Sequence, residues 1–172
     1  NAYNWWYIFI FPGFISLFAT LVNQLENKKL KYRAVFSLPL SLERIWKAKI
    51  ISTTYFVFIS VILHFIFIIA AKFFVLPSEE LEYTIINMLA ASILIFVYSL
   101  WQIPLCLYIS KKIGLALTLI FNLVANVFFS ITLSYSNCWI FSPYSWSSRV
   151  MIKVLNIMPN GLKLEEKFDY LK

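Results

Sequence analysis

Glycine is almost missing from this chain: Gly13, Gly114 and Gly161 are the only three in 172 residues. They cannot build a glycine-rich loop to cradle a nucleotide phosphate, and GxxxxGK[ST] does not occur. Cysteine is equally scarce. Cys106 and Cys138 lie far apart, form no CxxC pair and have no Cys/His partners at metal-ligand spacing, so neither a metal site nor thioredoxin-like chemistry has support. Charged residues make up only 13% of the chain, against about 25% in an ordinary soluble domain. The paired carboxylates and His/Glu sets that a multi-pass enzyme needs are absent from the uncharged stretches, so catalysis has the least support of any role.

What the chain does have is apolar surface. Hydrophobic residues account for 61% and aromatics for 19%, whereas a soluble domain carries about 45–50% apolar residues. A water-soluble fold of this length has too little interior to hide them. The 15 basic and 8 acidic residues all fall outside four uncharged runs, 5–25, 50–71, 84–109 and 113–133. An ionised group at a bilayer centre costs roughly 2.5–3.5 kcal/mol even on the lenient insertion scale, so spanning helices exclude it. Each run is close to the about 20 helical residues that cross a hydrocarbon core of about 30 Å. The sequence therefore predicts an all-α fold, a polytopic transmembrane helical bundle with four spans in a single domain over 1–172.

Local signals refine the spans. Pro12-Gly13 inside the first predicts a kink near Phe11, tolerable in a membrane where neighbours re-satisfy the freed carbonyls. The second is flanked by Lys49 and Lys72, and the third carries Pro104 near one end. Only Ser110, Lys111 and Lys112 separate the third and fourth, which predicts a tight helical hairpin.

Orientation follows from the basic residues. Lys28, Lys29, Lys31, Arg33, Arg44, Lys47 and Lys49 lie in the connection 26–49, and Lys111 and Lys112 in the hairpin turn. The connection after Lys72 holds Glu79, Glu80 and Glu82 instead. The positive-inside rule puts 26–49 and 110–112 in the cytoplasm and both ends of the stretch outside the cell membrane. The net charge of +7 is thus spent at membrane edges, which discounts nucleic acid as a partner. No charged n-region or small-residue cleavage site precedes Trp5, so the first run does not read as a signal peptide. Two ends outside is an awkward topology for a complete bacterial inner-membrane protein; one further helix on each side would give six spans. The segment 134–172 is polar and aromatic, with Trp139, Tyr144 and Trp146 around Pro143, and reads as an extracytoplasmic interfacial segment in which Val150–Met158 forms a short surface helix.

The connection 26–49 is the most informative stretch. Leu30, Ala34 and Leu38 recur at helical spacing beside Lys28, Lys29, Lys31 and Arg33, the pattern of a short basic amphipathic helix against a membrane or a partner. Pro39 ends it, Ser41 suits an N-cap, and Glu43 favours the positive end of a new helix that starts near Leu42 and runs into the second span. On charge alone, a plain membrane-surface loop is the simpler reading.

An acidic residue, a basic amphipathic helix, Leu-Pro-x-Ser, then Arg-Ile-x-x-Ala-Lys leading into a span resembles the type-2 ABC exporter permeases. Asn1-Ala-Tyr-Asn-Trp-Trp-Tyr, Lys29-Leu-Lys-Tyr-Arg-Ala-Val, Leu38-Pro-Leu, Ser142-Pro-Tyr-Ser and Met158-Pro-Asn-Gly look more narrowly like the lantibiotic-immunity permeases of Gram-positive bacteria. The departure is at Lys31-Tyr32, where the wider class more often carries Gly-Thr; it counts against a drug or polysaccharide exporter. The resemblance implies a cell-membrane permease, paired with a second permease copy or paralogue and two cytoplasmic ATPase subunits that carry the ATP and Mg, with no cofactor on this chain. It also implies that Lys28, Lys29, Lys31, Arg33, Phe36, Leu38 and Pro39 form a coupling helix seated in the ATPase, and that the cargo is a lantibiotic or similar membrane-active peptide.

Other residues have two readings each. Trp5, Trp6, Tyr7, Trp139, Tyr144 and Trp146 serve as a membrane-interface belt, or, with Glu79 and Glu80, as a rim that meets a cationic peptide. His64, Gln102, Asn122 and Asn126 are polar within the runs, and Asn122 and Asn126, four apart, share a helix face. Helix packing is the simpler role for them, a substrate path the sharper one. In another functional class altogether stands a non-transporting membrane anchor or sensor that recruits a cytosolic partner through its basic loop.

Overall fold

A computed structural model describes residues 2–30, 41–74 and 84–162, with the backbone alone for 2 and 26–30. Among the described residues the secondary structure is helical, with no β-strand. The first helix, α1, is built from Ala2–Trp5, a π-helical turn Trp6–Ile10, and Phe11–Leu30. The π turn sits where Pro12 requires it: Phe11 N–H donates to Trp6 O, and proline has no N–H to offer the carbonyl one turn back. The predicted kink near Phe11 takes this form. The helix also continues past Leu25, so Lys28 and Lys29 lie in its last turns.

Helix α2, Leu42–Phe74, begins directly after Ser41, whose Oγ accepts from Arg44 N at 3.4 Å, and keeps Glu43 in its first turn. Glu43 and Lys47 form an exposed i,i+4 ion pair at 2.6 Å. Helix α3 is Ile85–Ser99, and α4, Gln102–Leu133, follows after Leu100 and Trp101. Those two residues keep helical dihedrals, and Ile103 N donates to Leu100 O at 3.2 Å, a tightened turn where Pro104 cannot donate.

Gln102–Leu133 is not one rod. Gly114 has φ 77° and ψ −171°, and Asn122 Nδ2 donates to Gln102 Oε1 at 3.2 Å. In a straight helix residues that far apart in sequence would lie about 30 Å from each other. The chain therefore reverses at Gly114, two residues past Lys112, and the arms on either side lie along α1. Ser16 and Asn23 meet Cys106 and Leu107 on the first arm; Pro12 and Ile8 meet Asn122 and Asn126 on the second.

After a 3-10 turn, Asn137–Phe141, comes α5, Pro143–Leu155, with Pro143 at its start and Asn156 in the left-handed conformation at its end. The sequence predicts a surface helix at Val150–Met158; the helix found starts earlier and buries one face. Ser145 and Ser148 permit close approach, while Met151, Ile152 and Leu155 fill the bundle interior. Pairings Trp101–Tyr144, Tyr98–Trp146 and Ser99–Ser147 run α5 antiparallel to α3.

By length and composition three helical stretches, Tyr3–Leu25, Leu42–Phe74 and Gln102–Leu133, are apolar enough to cross a membrane, the last of them folded back on itself at Gly114. Their outer faces carry large apolar side chains in the open, such as Phe67 at 70% and Val124 at 61% exposure. Water would penalise a surface of that kind, and lipid does not. The chain is a membrane-embedded helical bundle.

Candidate functional site: a polar seam and an aromatic groove

Two sides of α1 differ in chemistry. The π turn and Pro12 leave carbonyls without helical partners: Ile8 O faces Pro12, which has no N–H, and the N–H that Tyr7 O would normally receive goes to Trp6 O. Asn126 Nδ2 donates to both, at 3.2 Å to Tyr7 O and 2.8 Å to Ile8 O. Asn122 Nδ2 donates to Pro12 O at 3.0 Å as well as to Gln102, while its Oδ1 accepts from the Tyr144 hydroxyl at 3.1 Å. All four side chains are buried. The result is a closed polar seam that joins α1, both arms of α4 and α5.

A second polar tie lies near the basic end of the bundle. Asn23 Nδ2 donates to Leu107 O and Ser110 Oγ at 2.8 and 2.7 Å, and Asn23 Oδ1 accepts from Lys49 Nζ at 3.0 Å. One buried amide thus holds α1, α2 and the first arm of α4 together. The exposed turn beside it carries Lys111 and Lys112, the latter over the Tyr108 ring at 4.5 Å.

The other side of α1 is open. Between α1 and α2 runs a groove of about 630 Å³, walled by Trp5, Trp6, Phe14 and Phe18 on one helix and by Phe56, His64 and Phe67 on the other. The helices are antiparallel there: Phe18 stacks with Phe56 at 5.4 Å, and Trp6 lies flat on His64 at 4.0 Å and 9°. Tyr3 meets the same imidazole edge-on at 5.3 Å. His64 Nδ1 is sealed off and unpartnered, and among the described residues no hydrogen bond reaches the ring.

The residues singled out from sequence separate accordingly. Trp5, Trp6 and His64 come together in the groove, whereas Tyr7 is buried and its carbonyl belongs to the seam. Gln102, Asn122 and Asn126 form the seam without His64. Tyr144 joins that seam instead of standing on a rim. Trp146 lies on α5, its Nε1 donating to Ile140 O at 3.0 Å, and Trp139 in the preceding 3-10 turn lies under Arg149 at 5.8 Å. Lys28 and Lys29 are placed by backbone only; Lys31, Arg33, Phe36, Leu38, Pro39, Glu79 and Glu80 lie outside the described residues. Sequence patterns did not point to Asn23, Tyr3, Phe14, Phe18 or Phe56. The stripe Ile10, Phe14, Phe18 has the four-residue spacing that would have revealed the groove wall.

Among the described residues no group of three His, Cys, Asp or Glu side chains is placed to hold a metal ion. Fold and site together define a membrane-embedded helical protein with, among the described residues, a hydrogen-bonded polar seam on one side of α1 and an aromatic groove on the other. No protein family, curated protein or solved structure matches the chain.

Proposed function

We propose that this chain is the membrane-spanning permease part of a type-2 ABC exporter that expels a lantibiotic or similar membrane-active peptide and so protects the cell that makes it. Its helices cross the bilayer four times: α1, α2, then α3 continued through the first arm of α4, then the second arm. The connections with Lys49, Lys111 and Lys112 face the cytoplasm, both ends lie outside, and α5 re-enters the outer leaflet beside α3.

One observation carries the proposal beyond a bare membrane anchor. Helix α2 is unbroken for 33 residues, about 50 Å of rise, while the hydrocarbon core is about 30 Å. It therefore extends past the bilayer at its Ser41 end, next to the basic connection that resembles a coupling helix. An anchor has no need of a rigid extension, whereas a permease needs one to carry a nucleotide-driven movement into the membrane. Two ATPase subunits, holding ATP and Mg, would dock there, and a second permease copy or paralogue would complete the path. The buried hydrogen bonds of the seam favour helix packing over a substrate path for Gln102, Asn122 and Asn126.

The test is retention of a partner. The full chain extracted from its native membrane should hold an ATPase, and Phe36→Asp with Leu38→Asp should release it while the protein stays folded. Extraction that yields no ATPase at all would favour the anchor or sensor.

A further inference from the structure

We infer that α2 is a hinged arm, pivoting where Lys49 meets Asn23 and swinging at its His64 end against α1. Hydrogen bonds are spread unevenly over the bundle. Those of the seam bind α1, both arms of α4 and α5 to one another. Among the described residues a single side-chain hydrogen bond joins α2 to another helix, from Lys49 Nζ to Oδ1 of the buried Asn23 at 3.0 Å. Asn23 Nδ2 in turn holds Leu107 O and Ser110 Oγ, so the pivot is fixed to the rigid part. Elsewhere α2 meets its neighbours through apolar side chains, such as Phe56 against Phe18 at 5.4 Å and Phe58 against Phe96 of α3 at 5.3 Å. In lipid such contacts are exchanged at little cost, because acyl tails are as apolar as the side chains they replace. A hydrogen bond has no substitute there.

The closed packing also carries a cost at the far end of the arm. Trp6 lies flat on the His64 ring at 4.0 Å, and Nδ1 is sealed with no hydrogen-bond partner, which is unfavourable for a polar group away from water. From Lys49 to His64 the unbroken helix rises about 22 Å, so a slight tilt at the pivot parts the two rings. Trp5 and Trp6 mark the headgroup level, where the freed Nδ1 meets water. Closed and open packings thus lie close in free energy, the condition for a switching element. The groove of about 630 Å³ is the clearance between them. The device rests on packing alone, whatever the cargo or the cytosolic partner.

Spin-label distances test it. The full chain is reconstituted in lipid and diluted with unlabelled chain, so that each distance is measured within one molecule. It carries Cys138→Ser and one labelled pair, with the buried Cys106 left in place. The pivot-end pair is Ile51→Cys with Leu117→Cys, the swinging-end pair Ile66→Cys with Ile131→Cys, and all four sites are exposed. The first pair should give one narrow distance and the second pair two. His64→Phe keeps an aromatic ring on Trp6, removes the unsatisfied atom, and should lower the displaced population at the swinging end about tenfold. Asn23→Leu should broaden the pivot-end distance. A single distance at the swinging end, two distances at both ends with Asn23 intact, or a displaced population that His64→Phe leaves unchanged would overturn the inference.

Discussion

Asn126 places one amide nitrogen between two carbonyls that Pro12 and the π turn have left without helical partners. Replacing it with leucine keeps the size and orphans both acceptors. The cost should be about 1–3 kcal/mol, the range for an unsatisfied buried group, well above the ~0.6 kcal/mol of an average interhelical hydrogen bond in membranes. Thermal unfolding of the detergent-solubilised protein would measure it; a loss no larger than that average would mean water or another side chain takes over. Much of this was legible: Asn122 and Asn126, four apart in an uncharged run, had to share a face. Their partners were not, because a backbone carbonyl leaves no mark in sequence and Tyr144 arrives from a distant helix. His64 shows the reverse difficulty, since nothing in its neighbours along the chain tells that Trp6 and Tyr3 will enclose it.

At the scale of elements, Pro12 announced its effect and Gly114 did not. Pro12 marked the π turn, whereas the tightened turn at Leu100–Trp101, one turn before Pro104, interrupts a run 84–109 that was read as one span, although a missing N–H perturbs a helix at a fixed offset. The reversal between the arms of α4 was legible from Ser110, Lys111 and Lys112, yet its pivot is Gly114, which reads as an ordinary helix position. With φ 77° and ψ −171° it adopts a backbone that only glycine holds without strain, and nothing lies within 4 Å of an added Cβ. Gly114→Ala should therefore cost about 1–3 kcal/mol from backbone strain alone. Gly13→Ala, where the nearest atom is Leu123 Cδ2 at 3.9 Å, should be near neutral or slightly stabilising. Equal effects at the two sites in the same unfolding assay would remove the argument for a strained pivot. Helix α5 was the element least visible in advance, since its serines read as loop residues until their packing against α3 is seen.

For the molecule as a whole, apolar runs fixed the class and charge fixed the proposed orientation, and both rest on the cost of ionised groups in lipid. The two cysteines supply a direct test, since Cys138 is exposed near the tryptophan end and Cys106 is buried between α1 and α4. Intact cells are treated with a membrane-impermeant maleimide, using the full chain and a Cys138→Ser variant that carries Lys111→Cys. The account predicts that Cys138 reacts in intact cells, while the cysteine at position 111 reacts only after the membrane is opened. Labelling of position 111 from outside, or protection of Cys138 until the membrane is opened, would contradict the orientation and the ATPase docking built on it.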